Sequence, residues 1–150
     1  VNLPPDALDA LDPNNPLNPF NDACRLVVRR VDGAVACGVV DLENGRLLGI
    51  HHAPQAVDAL SADVAAAVRT LLRGPNIGRV EQCVRALAAP AVGGQRFQEA
   101  HVTSAHGRHF AKTLRGGQVA VVVVTRHSTN LGLGWAQLKG AIPEVESLMS

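Results

Sequence analysis

Aromatic side chains are scarce in this chain of 150 residues: there is no tyrosine, one tryptophan (Trp135) and three phenylalanines. That scarcity excludes a platform on which bases could stack. Net charge is nearly absent too, with 14 Lys+Arg against 13 Asp+Glu. Neither the basic excess that drives phosphate binding nor an acidic tail is present, so nucleic acid is not an expected partner. The apolar run Val119–Val124 is far short of the roughly 20 residues a membrane-spanning helix needs, and no charged-then-apolar signal opens the sequence. A soluble, cytoplasmic protein is expected. Cysteines number three (Cys24, Cys37, Cys83), an odd count, widely spaced in apolar runs. They read as reduced, buried, small hydrophobes rather than as disulfides or zinc ligands.

Motifs of nucleotide and acyl chemistry are missing as well. The sequence holds no Gly-x-x-x-x-Gly-Lys-Ser/Thr, no Gly-x-Gly-x-x-Gly and no Gly-x-Ser-x-Gly. Ser104, His106 and Glu99 can be arranged on paper as a triad, but no nucleophile elbow supports it, and no catalytic residue or cofactor is expected. His101, His106 and His109 fall on one hairpin, where His101 and His109 could approach each other. A zinc site needs three or four converging donors, so exposed hairpin histidines are the preferred reading and no metal is expected. His51 and His52, adjacent on a strand, point to opposite faces.

What the sequence does hold is a pattern of one α/β domain. Residues 1–19 carry five of the nine prolines among Asn and Asp, a composition read as a disordered tail with at most one short turn at Asp6–Leu11. Residues 20–150 form the domain. Phe20, Cys24, Val27, Val28 and Val31 recur at helical spacing. A hairpin reading of this segment through Asp32-Gly33 is disfavoured, because it would put Arg30 beside Val28 and Leu26 on one face. Val35–Leu42 is apolar at both parities and predicts an inner strand. Glu43-Asn44-Gly45 supplies a tight turn, and Arg46–His52 returns as the partner strand, with Leu47, Gly49 and His51 on one face.

From Val57 a helix is expected, with Val57, Leu60, Val64, Val68 and Leu71 as its core stripe. Ala62, Ala65, Ala66 and Arg69 make a neighbouring face small enough for a second helix to approach. Gly74-Pro75 breaks this helix, and Ile77, Val80, Val84 and Leu87 mark a second piece. FQEAHVTSA and RHFAKTL alternate as half-buried strands around His106-Gly107. Gln118–Thr125 is a second inner strand, expected beside Val35–Leu42 in the middle of a five-stranded sheet. A final helix, capped at Ser128 or Thr129 and kinked near Pro143, carries Leu131, Trp135, Leu138, Ile142 and Val145 inward. Gly132 and Gly134 permit close packing on the sheet.

The segments VDGAVACGVVDLENGRLLG (Val31–Gly49), Glu99–Leu114 and VVVVTRHSTNLGLGWAQLK (Val121–Lys139) resemble, in order and spacing, the roadblock (dynein light-chain-like) family in its bacterial branch. The resemblance spans about Phe20 to Met149. It implies a roadblock-type, profilin-like α/β sandwich: a five-stranded, mainly antiparallel sheet with helices on both faces. It further implies a non-catalytic homodimer, joined through the middle helix and the following edge strand, that binds a Ras-like small GTPase or scaffolds signalling and motility complexes. The expected dimer or partner interface is Ala62, Ala65, Ala66, Arg69, Phe97, Glu99, His101 and Thr103. Arg73–Gly94 is longer than the family's usual connection. A small-molecule sensor of profilin or PAS type is the alternative; it requires a ligand cavity in the core with convergent polar groups.

Overall fold

The computed structural model describes residues 14–15, 17–56, 59–87, 97–114 and 116–149. The elements, in order, are α1 (Pro19–Arg30), β1 (Ala34–Asp41), β2 (Leu47–His52), α2 (Ala62–Arg73), α3 (Pro75–Leu87), β3 (Glu99–Thr103), β4 (Gly107–Thr113), β5 (Val119–Arg126) and α4 (Leu131–Leu148). The five strands form one antiparallel sheet in the order β2-β1-β5-β4-β3. β1 and β5 lie side by side, as their apolar character at both parities requires. Residues 1–13 and 16, within the expected tail, and Val57, the expected helix start, lie outside the described residues.

α1 and α4 cover one face of the sheet, and α2 covers the other. The first layer packs Phe20, Cys24 and Val27 of α1 and Leu138 and Val145 of α4 on Cys37, Val39, Phe110, Val121 and Val123. The second packs Leu60, Ala65, Val68 and Leu72 on Ala36, Val40, Ala111, Ala120 and Val122. Burial of a Leu or Phe side chain is worth about 1.5–3 kcal/mol, so the two layers supply most of the fold's cohesion. Gly134 lets α4 approach the sheet: a Cβ there would sit 3.0 Å from the Phe110 ring.

Several sequence expectations are corrected. α2 begins at Ala62 after Ser61, and its buried stripe is Ala65, Val68 and Leu72, whereas Leu71 is exposed. The sheet beneath it is lined by alanines, so the helix approaches with its small face, and the larger Val64 and Leu71 are displaced sideways. The N-cap of α4 is Asn130, whose side chain accepts from Leu133 N; Thr129 is instead buried and donates to Asp32 O. Leu131 is exposed and Trp135 only partly buried, because the stripe runs Leu138, Ala141, Val145. α4 continues through Pro143 to Leu148. A register shift at Val39/Val40 breaks the alternation of β2, so Leu47 joins the α2 layer while Gly49 faces Phe20. Cys24 and Cys37 are buried in the core, but Cys83 on α3 is exposed.

Candidate functional site

The two edges of the sheet differ. On β2, residues 49 and 51 bond to β1, so the backbone groups of 48 and 50 point outward. Both outward groups used here are satisfied by α1: Asn18 Nδ2 donates to Leu48 O (2.8 Å), and Ile50 N donates to Asn21 Oδ1 (2.8 Å). Asn18 also caps α1 by accepting from Phe20 N. Two asparagines at the start of one helix therefore seal this edge, a job that nothing in hydrophobic periodicity reveals.

β3 carries no such seal among the described residues. The hydrogen bonds Thr113 N to Gln98 O and Ser104 N to Gly107 O set the ladder phase, which turns residues 100 and 102 toward β4. The backbone groups of Glu99, His101 and Thr103 consequently face outward. Their side chains lie on the α4 face, opposite Lys112, Phe110 and Arg108. Glu99 Oε1 receives Lys112 Nζ (3.2 Å) and Lys139 Nζ (3.3 Å), tying the edge strand to β4 and α4. Burial alone would raise the Glu99 carboxyl, but the hydrogen bonds and charges of the two lysines outweigh it and hold it below the usual value. The His101 ring lies 5.0 Å from Phe110, which in turn meets Trp135 edge to face. Burial first, then the charges of Arg108 and His109, push His101 below its ordinary value. Thr103 Oγ1 accepts from Arg108 (3.1 Å).

His101 and His109 do not converge. His101 pairs with Phe110 and Val102 with His109, which places the two imidazoles on opposite faces. Among the described residues no group of three His, Cys, Asp or Glu could hold a metal ion. Burial raises the Cys37 thiol, followed by its hydrogen bond to Cys24 and the charge there, so Cys37 stays protonated near neutral pH.

Of the expected helical face, Ala62, Ala66 and Arg69 are exposed, but Ala65 has no exposed surface and belongs to the core. Arg69 Nε donates to Leu42 O and Glu43 O, stapling the β1–β2 turn. Arg73 reaches Phe97 O (2.8 Å) and Gly117 O (3.1 Å), which joins the end of α2 to the start of β3; Phe97 itself is half-buried against the α2 layer. Beyond the Gly74-Pro75 break, α3 packs on α2 and leaves a row of apolar side chains in solvent: Val80 (47 %), Val84 (53 %) and Leu87 (89 %), with Leu71 of α2 nearby in sequence (40 %). Sequence periodicity marks this row as a helix and not as a surface. The signal for a surface is that the segment adds a second apolar stripe where the α2 helix already supplies the core. A cavity of about 340 Å³ lies at the surface beside the β1–β2 turn, lined by Leu42, Glu43, Arg69, Arg73, Gly117 and Gln118.

This layered five-stranded sheet has the roadblock/LC7 fold of solved bacterial proteins. Solved structures with the same fold are MglB of Myxococcus xanthus (19 % identity, 90 % of this chain and 98 % of that chain covered, TM-score 0.63) and the gliding protein MglB of Thermus thermophilus (19 %, 90 % and 91 %, 0.65). A roadblock/LC7 domain of Streptomyces avermitilis is a third (13 %, 87 % and 98 %, 0.59). No family model and no curated protein matches the chain.

Proposed function

We propose that this protein is a non-catalytic, cytoplasmic homodimeric adaptor that binds a Ras-like small GTPase or another signalling or motility partner. The observation that carries the reading is the asymmetry of the sheet: β2 is sealed by Asn18 and Asn21, whereas β3 presents outward backbone groups that no described residue seals, next to α2. An open strand edge is what a paired subunit covers, and left bare it invites non-specific association. Ala62, Ala66 and Arg69 lie on the helix joined to that edge through Arg73 and Phe97. Three of the neighbouring folds are MglB proteins, one described as a gliding protein, which supports a motility or signalling setting. No phosphate-cradling motif exists in the sequence, so the protein neither hydrolyses GTP nor binds it tightly. The sensor alternative draws no support from a cavity that lies at the surface beside the β1–β2 turn instead of within the core.

Light scattering tests the dimer, which should have about twice the 15.7 kDa chain mass. Ala66→Glu, a change at an exposed position, should weaken self-association and capture of the partner from native cytosol together; overpacking a close helix contact costs about 1–3 kcal/mol. Unchanged partner binding by a monomeric Ala66→Glu protein would refute the shared surface. GTP turnover abolished by mutation within the chain would overturn the non-catalytic reading.

A further inference from the structure

The open edge of β3 admits one symmetric pairing in full. Its outward backbone groups belong to Glu99, His101 and Thr103, and two copies joined there by a twofold axis run antiparallel. An axis through Ala100 or Val102 would set Thr103 or Glu99 against a residue beyond the strand bounds Glu99–Thr103, and an axis between residues would oppose outward groups with inward ones. Only an axis through His101 engages all three: His101 meets His101 of the second copy, and Glu99 meets its Thr103. Resting on the dimer reading above, we propose that two copies pair antiparallel about an axis through His101, and that protons taken up by the two facing imidazoles separate them.

Both faces of the edge suit a second copy. On the α4 side, Arg108 Nη1 lies 3.1 Å from Thr103 Oγ1, so its guanidinium stands over the residue that Glu99 of the second copy faces. The acidic end of each strand thus meets the basic end of the other. On the α2 side Ala100 falls opposite Val102, which covers a valine that is 45 % exposed in the single chain. Symmetry supplies each match twice.

The axis also sets like against like. Residues in a hydrogen-bonded antiparallel pair have Cα atoms about 5.5 Å apart, so the two His101 rings are direct neighbours on the α4 face. Neutral rings tolerate this; two imidazolium ions are like charges directly opposed. Their surroundings give little relief. Glu99 is the only carboxylate on β3 and β4, and Lys112 of β4 and Lys139 of α4 already hold it. Thr103 Oγ1, 3.1 Å from His101 Nε2, is engaged by Arg108, and Phe110 packs against the ring. Burial, then the charges of Arg108 and His109, hold His101 below its ordinary value in the single chain, and a second imidazolium lowers it further. Association is therefore whole at neutral pH and is lost as the pH falls, because the separated chains take up protons first.

Sedimentation of the full chain should show the dimer dissociation constant rising about fivefold between about pH 7.5 and about pH 5.5. In His101→Gln it should stay level, and in His109→Gln it should rise as in the unmodified chain. Register is read separately. With the exposed thiol removed by Cys83→Ser, His101→Cys treated with diamide should form a covalent dimer, since Cα atoms about 5.5 Å apart lie within disulfide reach. Glu99→Cys and Thr103→Cys, each opposite the other and not itself, should not. A dimer indifferent to pH, acid sensitivity that survives His101→Gln, or cross-linking at 99 or 103 as readily as at 101 overturns the inference and leaves the dimer standing. A chain that is monomeric at about pH 7.5 overturns the dimer reading and the inference together.

Discussion

Phe110 and Trp135 meet edge to face, their ring centres 5.1 Å apart and their planes at 84°. Phe110 is wholly buried under α4, whereas Trp135 keeps one side toward solvent. The pair is the joint between β4 and the last helix, and the buried partner carries more of it. Phe110→Ala should cost about 3–5 kcal/mol, the range for a large core side chain, and Trp135→Ala roughly half that. Urea denaturation followed by far-ultraviolet dichroism checks the ranking; equal losses would mean that Trp135 is as deeply buried as its partner.

His101→Pro separates the outward face of β3 from its ladder. The amide at 101 points away from β4, so proline there removes a donor from the open edge and leaves the bonds of residues 100 and 102 in place. The expected outcome is a folded monomer by light scattering. Val102→Pro, which deletes a ladder bond, should instead lower stability. If His101→Pro remains dimeric, the edge is not the contact.

Acid should loosen the hairpin in two stages. His101 and His109 have folded-state values below that of a free imidazole, by burial first, with Arg108 and His109 adding to the shift of His101. Their contribution is whole above about pH 6.5 and is lost as pH falls through the folded values, because the unfolded chain takes up protons first. The Glu99 carboxyl is also depressed by its lysines, so its contribution is present above about pH 4.3 and disappears as pH falls through its lower folded value. Thermal melts from pH 8 to 3 should show both declines, and Glu99→Gln should remove the second.

Asn21→Ala should expose Ile50 N on the outer side of β2 and cost about 1–3 kcal/mol, the penalty for leaving a part-buried backbone donor unmet. Asn21→Asp retains the acceptor and should cost less. Denaturation midpoints of the two variants provide the comparison.

The strand order, the hairpin turns and the class of fold are legible in the sequence because they rest on apolar parity, on Gly45 in a left-handed turn and on uninterrupted helical spacing. The rotation of α2 is not. Side-chain size favours Leu71 as a core residue, but the alanine-lined sheet rewards the close approach of Ala65. Of the expected interface, Glu99, His101 and Thr103 fall on the open edge, and Ala65 falls inside the core. The sealing of β2 is illegible for a different reason. It depends on two asparagine amides meeting a strand 29 and 30 residues further on, a long-range hydrogen-bond match that no local pattern encodes.

That seal also sets arithmetic for growth. A sheet with two bare edges can add a neighbour on each side and extend without limit, as a ribbon of identical subunits. A subunit with one bare edge can accept one neighbour, and when two such edges join, none is left over. With β2 occupied by the amides of Asn18 and Asn21, any strand-to-strand assembly of this protein through its sheet edges would stop at a closed pair.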